Sequence, residues 1–147
     1  QLRAAGLAVG KIQLSSALTA RNDAEGRRAL VAFAEPVYFH QTAAFDAEGR
    51  RVARWPDLPA ALEELPDRPD AVEVRAHFHV PLHWPGAGAL GATAAALGPD
   101  FWRAAGGATR DLEIETYTFD VLPEPLRRGG LAASIATEYG WVRERFT

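Results

Sequence analysis

Four short segments of this chain alternate apolar with polar or ionisable residues at a period of two, and no other feature constrains the fold as much. In Val9–Ser15, Ile12 and Leu14 fall on one face, and Lys11, Gln13 and Ser15 on the other. Val37–His40 separates Val37 and Phe39 from Tyr38 and His40. Ala71–Val80 separates Val72, Val74, Ala76 and Phe78 from Glu73, Arg75, His77 and His79. Asp111–Thr118 separates Leu112, Ile114 and Thr116 from Glu113, Glu115 and Tyr117. Each is a candidate strand with one apolar and one polar face.

Helical spacing fills the intervals. Leu2–Ala8 contains the last turn of a helix ended by Gly6, and Asn22 or Asp23 caps a helix running through Phe33. Thr42–Phe45 and Arg51–Arg54 flank Asp46-Ala47-Glu48-Gly49 as a small hairpin. Pro59–Leu65 is a short helix with proline in its first turn, and Pro99–Ala105 carries Phe101 and Trp102 on another. Gly86–Gly98 is Gly/Ala-rich, a loop with at most a short helix. After the turn Leu122–Pro125, a final helix from about Gly130 to Phe146 sets Leu131, Ile135, Tyr139 and Val142 on one stripe, weakened by Gly140.

Strand and helix thus alternate four times, which predicts a parallel sheet with right-handed crossovers. No Gly-x-Gly-x-x-Gly turn follows a strand, so a dinucleotide-binding sheet is not indicated. Parallel strands covered by helices on both sides should be apolar on both faces. A barrel resolves the conflict by turning the polar faces inward, with functional residues at the C-terminal strand ends. The expectation is a (β/α)8 TIM barrel of which this chain supplies the C-terminal half, about four βα units. The absence of methionine and the start at Gln1 in mid-pattern agree with a first half lying upstream.

Composition excludes several chemistries. There are no cysteines, so disulfides, thiolate metal sites and cysteine nucleophiles are ruled out. Sixteen basic residues against nineteen acidic ones give no basic surplus for nucleic acid. No apolar run of about 18 residues suggests a membrane span, and no signal peptide opens the chain, which predicts a cytoplasmic protein. The remaining chemistry lies on the polar strand faces. Gln13, His40, His79 and Glu115 all fall near strand ends. Lys11 is the single lysine beside 15 arginines, suited to neutralising a phosphate or enolate or to pairing with a glutamate. Glu113 and Glu115 are either an acid/base or ligand pair, or partners of Arg75 in an ion network. Trp84, Phe101 and Trp102 are placed to stack on a ligand or to pack a core, and His83 is a rim residue.

Four motifs in order, Lys11-Ile-Gln-Leu-Ser-Ser-Ala-Leu18, Phe33-Ala-Glu-Pro-Val-Tyr-Phe-His-Gln41, Arg75-Ala-His-Phe-His-Val-Pro81 and Leu112-Glu-Ile-Glu-Thr-Tyr-Thr-Phe-Asp-Val-Leu-Pro123, with Trp55-Pro-Asp-Leu-Pro59 between them, resemble the metabolite traffic protein family EboE. The resemblance covers nearly the whole chain. It implies a xylose-isomerase-type barrel near the sugar phosphate isomerases and epimerases. It also implies a small polar metabolite as ligand, and partners among the ebo operon products, a membrane protein included.

In that wider superfamily the last four strands give Glu, Asp, His and Glu to a divalent metal. The matching positions here are Gln13, His40, His79 and Glu115, the first two departing in type. The expected metal ligands are therefore His40, His79 and Glu115, a low-charge set that suits Zn²⁺, Mn²⁺ or Fe²⁺ better than Mg²⁺. Glu115, His77 and Lys11 are the candidate catalytic groups, with Gln13, Arg75, Glu113, Tyr117 and Trp84 toward the substrate. Two alternatives accompany this expectation: a non-catalytic carrier passing its cargo to a membrane partner, and a metal-dependent phosphoesterase of the same superfamily.

Overall fold

The computed structural model describes residues 2–115 and 118–146. Its seven strands form two sheets. β1 (Ile12–Leu14) pairs in parallel with β7 (Leu112–Ile114). The larger sheet contains β2 (Leu18–Arg21), β3 (Thr42–Phe45), β4 (Arg51–Trp55), β5 (Glu73–Ala76) and β6 (Leu90–Ala92) in the order β4-β3-β5-β2-β6, antiparallel throughout.

The expected TIM barrel is therefore corrected to a mixed α/β arrangement dominated by an antiparallel sheet. The evidence used for a lumen has another physical source. An antiparallel sheet packed on one face and open on the other produces the same alternation of apolar and polar residues. Leu18, Ala20, Thr42, Ala44, Val74 and Ala76 are buried on the packed face, while the other face carries Thr19, Ala43, Phe45, Glu73 and Arg75. Two strands escaped the sequence pattern because they are short and small-residued: Leu18-Thr-Ala-Arg21 and Leu90-Gly-Ala92. Val37–His40 forms no strand; Val37 and Phe39 are exposed. The expected strand Asp111–Thr118 shortens to β7, and its Thr116 and Tyr117 lie outside the described residues.

The local signals did better. α1 (Ala24–Leu30) starts at Asp23, whose carboxylate accepts the Gly26 N–H at 2.8 Å. The β3–β4 hairpin turns through Asp46, which accepts N–H groups from Glu48 and Arg50, and closes on Gly49 at φ +76°. α2 (Leu58–Glu64) is capped by Asp57, and α3 (Pro99–Gly106) begins on its proline. A one-turn α4 (Glu124–Arg127) precedes α5 (Gly130–Arg143). On α5 the expected stripe is corrected, because Leu131 and Tyr139 are exposed while Glu138 and Val142 are buried.

Two apolar clusters organise these elements. The larger gathers Leu18, Leu30, Leu58, Leu65, Val74 and Phe78, between the packed face of the sheet and α1 and α2. The smaller gathers Leu14, Leu82, Trp102 and Val142, with β1, β7, α3 and α5 around it. The segment His77–Leu82 runs from one cluster to the other, with Phe78 in the first and Leu82 in the second. Among the described residues, no helix is long and apolar enough to cross a membrane.

Candidate functional site

The seam segment brings the histidines together. It leaves β5 through a tight turn in which the Phe78 N–H donates to Ala76 O at 2.8 Å; the His77 N–H donates to Gln41 O at 2.8 Å, and the Val80 N–H to Ser16 O at 2.9 Å. With backbone bonds on both flanks, Phe78 is buried in the larger cluster and the His77 and His79 rings meet. Their Nε2 atoms lie 2.7 Å apart, a distance that suits one N–H···N hydrogen bond. His79 is buried and His77 is exposed, so the pair runs from interior to surface.

Behind His79 stands Glu115, which its backbone N–H ties to Leu14 O at the end of the β1–β7 ribbon. Its Oε2 is 4.0 Å from His79 Nδ1. Burial and the neighbouring His77 push the His79 imidazole down from its ordinary pKa, against the opposing pull of Glu115. Thr118 Oγ1 donates to the His79 carbonyl and fixes the backbone beneath the ring. Glu138 reaches the same neighbourhood from α5 and accepts the Leu82 N–H at 2.9 Å; burial raises its pKa against that hydrogen bond. The pocket lined by His79, Glu115, Thr118 and Glu138 holds about 10 Å³, room for one water.

His40 is adjacent but differently employed. It is fully buried, tilted over Phe78 at 4.5 Å between ring centres, with Nε2 2.7 Å from Glu35 Oε1 and Nδ1 3.3 Å from the His77 carbonyl. Burial opposes ionisation of Glu35, yet the Val37 N–H, the His40 ring and the Tyr38 N–H together hold its carboxyl below the ordinary value. Both ring nitrogens of His40 thus face acceptors, a carbonyl and a carboxylate. Both nitrogens are occupied by protein oxygens.

That decides the fit of the expected metal set. His40 is engaged on both nitrogens, and Glu115 approaches His79 on the nitrogen opposite the one that meets His77. His40, His79 and Glu115 do not converge on a point. Among the described residues no group of three or more His, Asp or Glu is arranged to hold a metal ion. These residues do not fit the Zn²⁺, Mn²⁺ or Fe²⁺ that the resemblance implies.

The other predicted residues fall elsewhere. Lys11, Gln13 and Glu113 form a half-exposed trio on the ribbon, since the register sets Gln13 opposite Glu113. Lys11 makes a short ion pair with Glu113, and Gln13 Nε2 donates to it at 3.3 Å; these hydrogen bonds lower the Glu113 pKa. The suggested Arg75–Glu113 network is corrected, because Arg75 pairs with Glu73 and lies 4.2 Å over the Phe45 ring. Trp84 packs against the larger cluster and borders a surface hollow with His83 and Trp141. Tyr117 lies outside the described residues. Sequence reasoning passed over Glu35, Thr118 and Glu138. Only Glu138 left a signal, a carboxylate four residues before Val142 on one helical face.

Comparisons of this chain with protein families, curated proteins and solved structures return no match.

Proposed function

We propose that the protein handles a small polar metabolite at the exposed end of the His77–His79 pair, with the two imidazoles and Glu115 moving a proton to or from it. The observation carrying this reading is the line His77 Nε2, His79 Nε2, His79 Nδ1, Glu115, which runs from a surface imidazole through a buried one to a partly exposed carboxylate 4.0 Å behind it. Such a line suits general acid–base work: His77 meets the ligand, and His79 accepts or returns the proton, its ring held by Thr118 beneath and Glu115 behind. The inner space takes only about one water, so the ligand approaches from the His77 side. The resemblance to EboE supplies the setting, metabolite handling alongside other ebo operon products, a membrane protein among them.

The test is a thermal-shift screen of polyols, sugars and hydroxy acids against wild type, His77→Ala, His79→Ala and Glu115→Gln. A ligand that stabilises wild type and loses its effect in both histidine variants supports the reading. Turnover of that ligand then separates catalyst from carrier. No ligand effect, with imidazole ¹⁵N signals unmoved by the whole panel, sinks it. Stoichiometric Zn²⁺ uptake that His77→Ala and His79→Ala both abolish would replace proton transfer with metal binding.

A further inference from the structure

The open face of the antiparallel sheet carries a second feature, a set of arginines that meets the histidine pair only at His77. Directly paired residues on neighbouring strands share a face, so the register defines who meets whom. Ala43 pairs with Arg54 on one side and Arg75 on the other; Phe45 pairs with Arg51 and Glu73; and Glu73 pairs with Arg21. Ala43 and Phe45 are two apart on β3 and face the same way. Arg54, Arg51, Arg75 and Arg21 therefore stand on one sheet face, with Glu73 as its acidic member.

Arg51 and Arg54 are three apart, and strict alternation would send them to opposite faces. The register shift between Ala44 and Phe45 prevents this: one step on β3 spans two residues on β4, from Arg51 to Ala53. This β-bulge re-aims Arg51 onto the face that Arg54 already occupies. Both side chains are exposed, and among the described residues neither has a carboxylate partner, whereas Arg75 is matched by Glu73 and Arg50 by Asp46 and Glu48.

Beside them lies a groove of about 470 Å³, lined by Gln41, Ala43, Arg51, Arg54 and His77, with Trp55 and Pro56 as a wall. That volume is in the range of small-molecule sites. No Asp or Glu lines it, and the nearby Glu64 carboxylate is taken by the Trp55 indole N–H at 2.9 Å. Ala43 keeps the floor low, which lets a ligand reach two guanidinium forks at once.

We infer that this groove binds a small multivalent oxyanion, gripped by Arg51 and Arg54 and closed at one end by Gln41 and His77. Guanidinium forks match the paired oxygens of phosphate and carboxylate groups, and both arginines stand ready for them. Charge complementarity favours a compact ligand over a nucleic-acid strand: the patch is short, and the whole chain carries −3, which repels a long polyanion. The groove shares His77 with the histidine pair, but Arg51 and Arg54 make the grip, so the inference holds if the proton-transfer reading fails.

Isothermal titration with inorganic pyrophosphate and with citrate at low salt tests it on wild type, Arg54→Gln and the double variant Arg51→Gln/Arg54→Gln. Both positions are exposed, and a matching thermal melt verifies that the variants fold. Binding should weaken several-fold in the single variant, at least tenfold in the double, and fall with added salt. Preference for pyrophosphate identifies a phosphate ligand, and preference for citrate a polycarboxylate; either upholds the site. It is overturned if neither anion binds wild type at millimolar concentration, if the double variant binds as tightly, or if a 20-mer of deoxythymidine binds far better than both.

Discussion

Gly26 and Gly140 both sit inside helices, and helix propensity alone says that alanine at either position stabilises by about 1 kcal/mol. The packing separates them. α1 lies so close to the end of β2 that a Cβ on Gly26 would stand 2.1 Å from the Arg21 carbonyl oxygen and 3.1 Å from its carbon. Both are backbone atoms of a paired strand and cannot swing aside, so the helix must move by about 1 Å to restore ordinary contact. Overpacking of this kind costs about 3 kcal/mol, and the propensity gain returns about 1, leaving a net loss of about 2 kcal/mol. In a chain of 147 residues that corresponds to a fall in Tm of about 4–8 °C. At Gly140 nothing lies within 4 Å of the added methyl and the position is exposed, so Gly140→Ala should raise Tm by about 2–4 °C. Urea unfolding and calorimetry of the two variants beside wild type provide the assay. A Gly26→Ala protein as stable as wild type would refute the close approach of α1 to β2; equal shifts of the same sign at both glycines would refute the packing argument as a whole.

Three further outcomes follow from particular contacts. Glu138 is protonated more readily folded than unfolded, so its contribution is full below its unfolded pKa near 4.5 and is lost as pH rises through its higher folded value. Glu138→Gln keeps an acceptor for the Leu82 N–H, and urea midpoints between pH 4 and 8 should show its advantage over wild type growing with pH; a constant difference would contradict this. Asp57 caps α2 through the Leu58 N–H and also accepts the His40 N–H, so Asp57→Ala should lose about 2 kcal/mol in urea unfolding, more than a cap alone. Asn22 places its amide group 3.1 Å from each of the Leu65, Arg68 and Ala71 carbonyls, and Asn22→Ala should cost about 2–3 kcal/mol, with Asn22→Asp no better because it offers no donor there.

What the sequence determined by itself is what depends on neighbours along the chain. The Asp23 and Asp57 caps, the Asp46–Gly49 turn, the proline starts of α2 and α3, and the two faces of Glu73–Ala76 all follow from residue type and spacing. The nearness of His77 to His79 is of the same kind, since the two lie two residues apart on one short segment. Pairing between distant strands is not. Alternating faces are equally compatible with a barrel lumen and with a half-open antiparallel sheet, and the direction in which β2, β3 and β5 meet is set by contacts more than 20 residues apart. Tertiary structure alone therefore placed Glu115 behind His79, turned His40 toward Glu35, and moved Lys11, Gln13 and Glu113 onto a separate surface. It also decided the bulge that puts Arg51 beside Arg54, because a single residue of register between two strands reverses which face a side chain occupies.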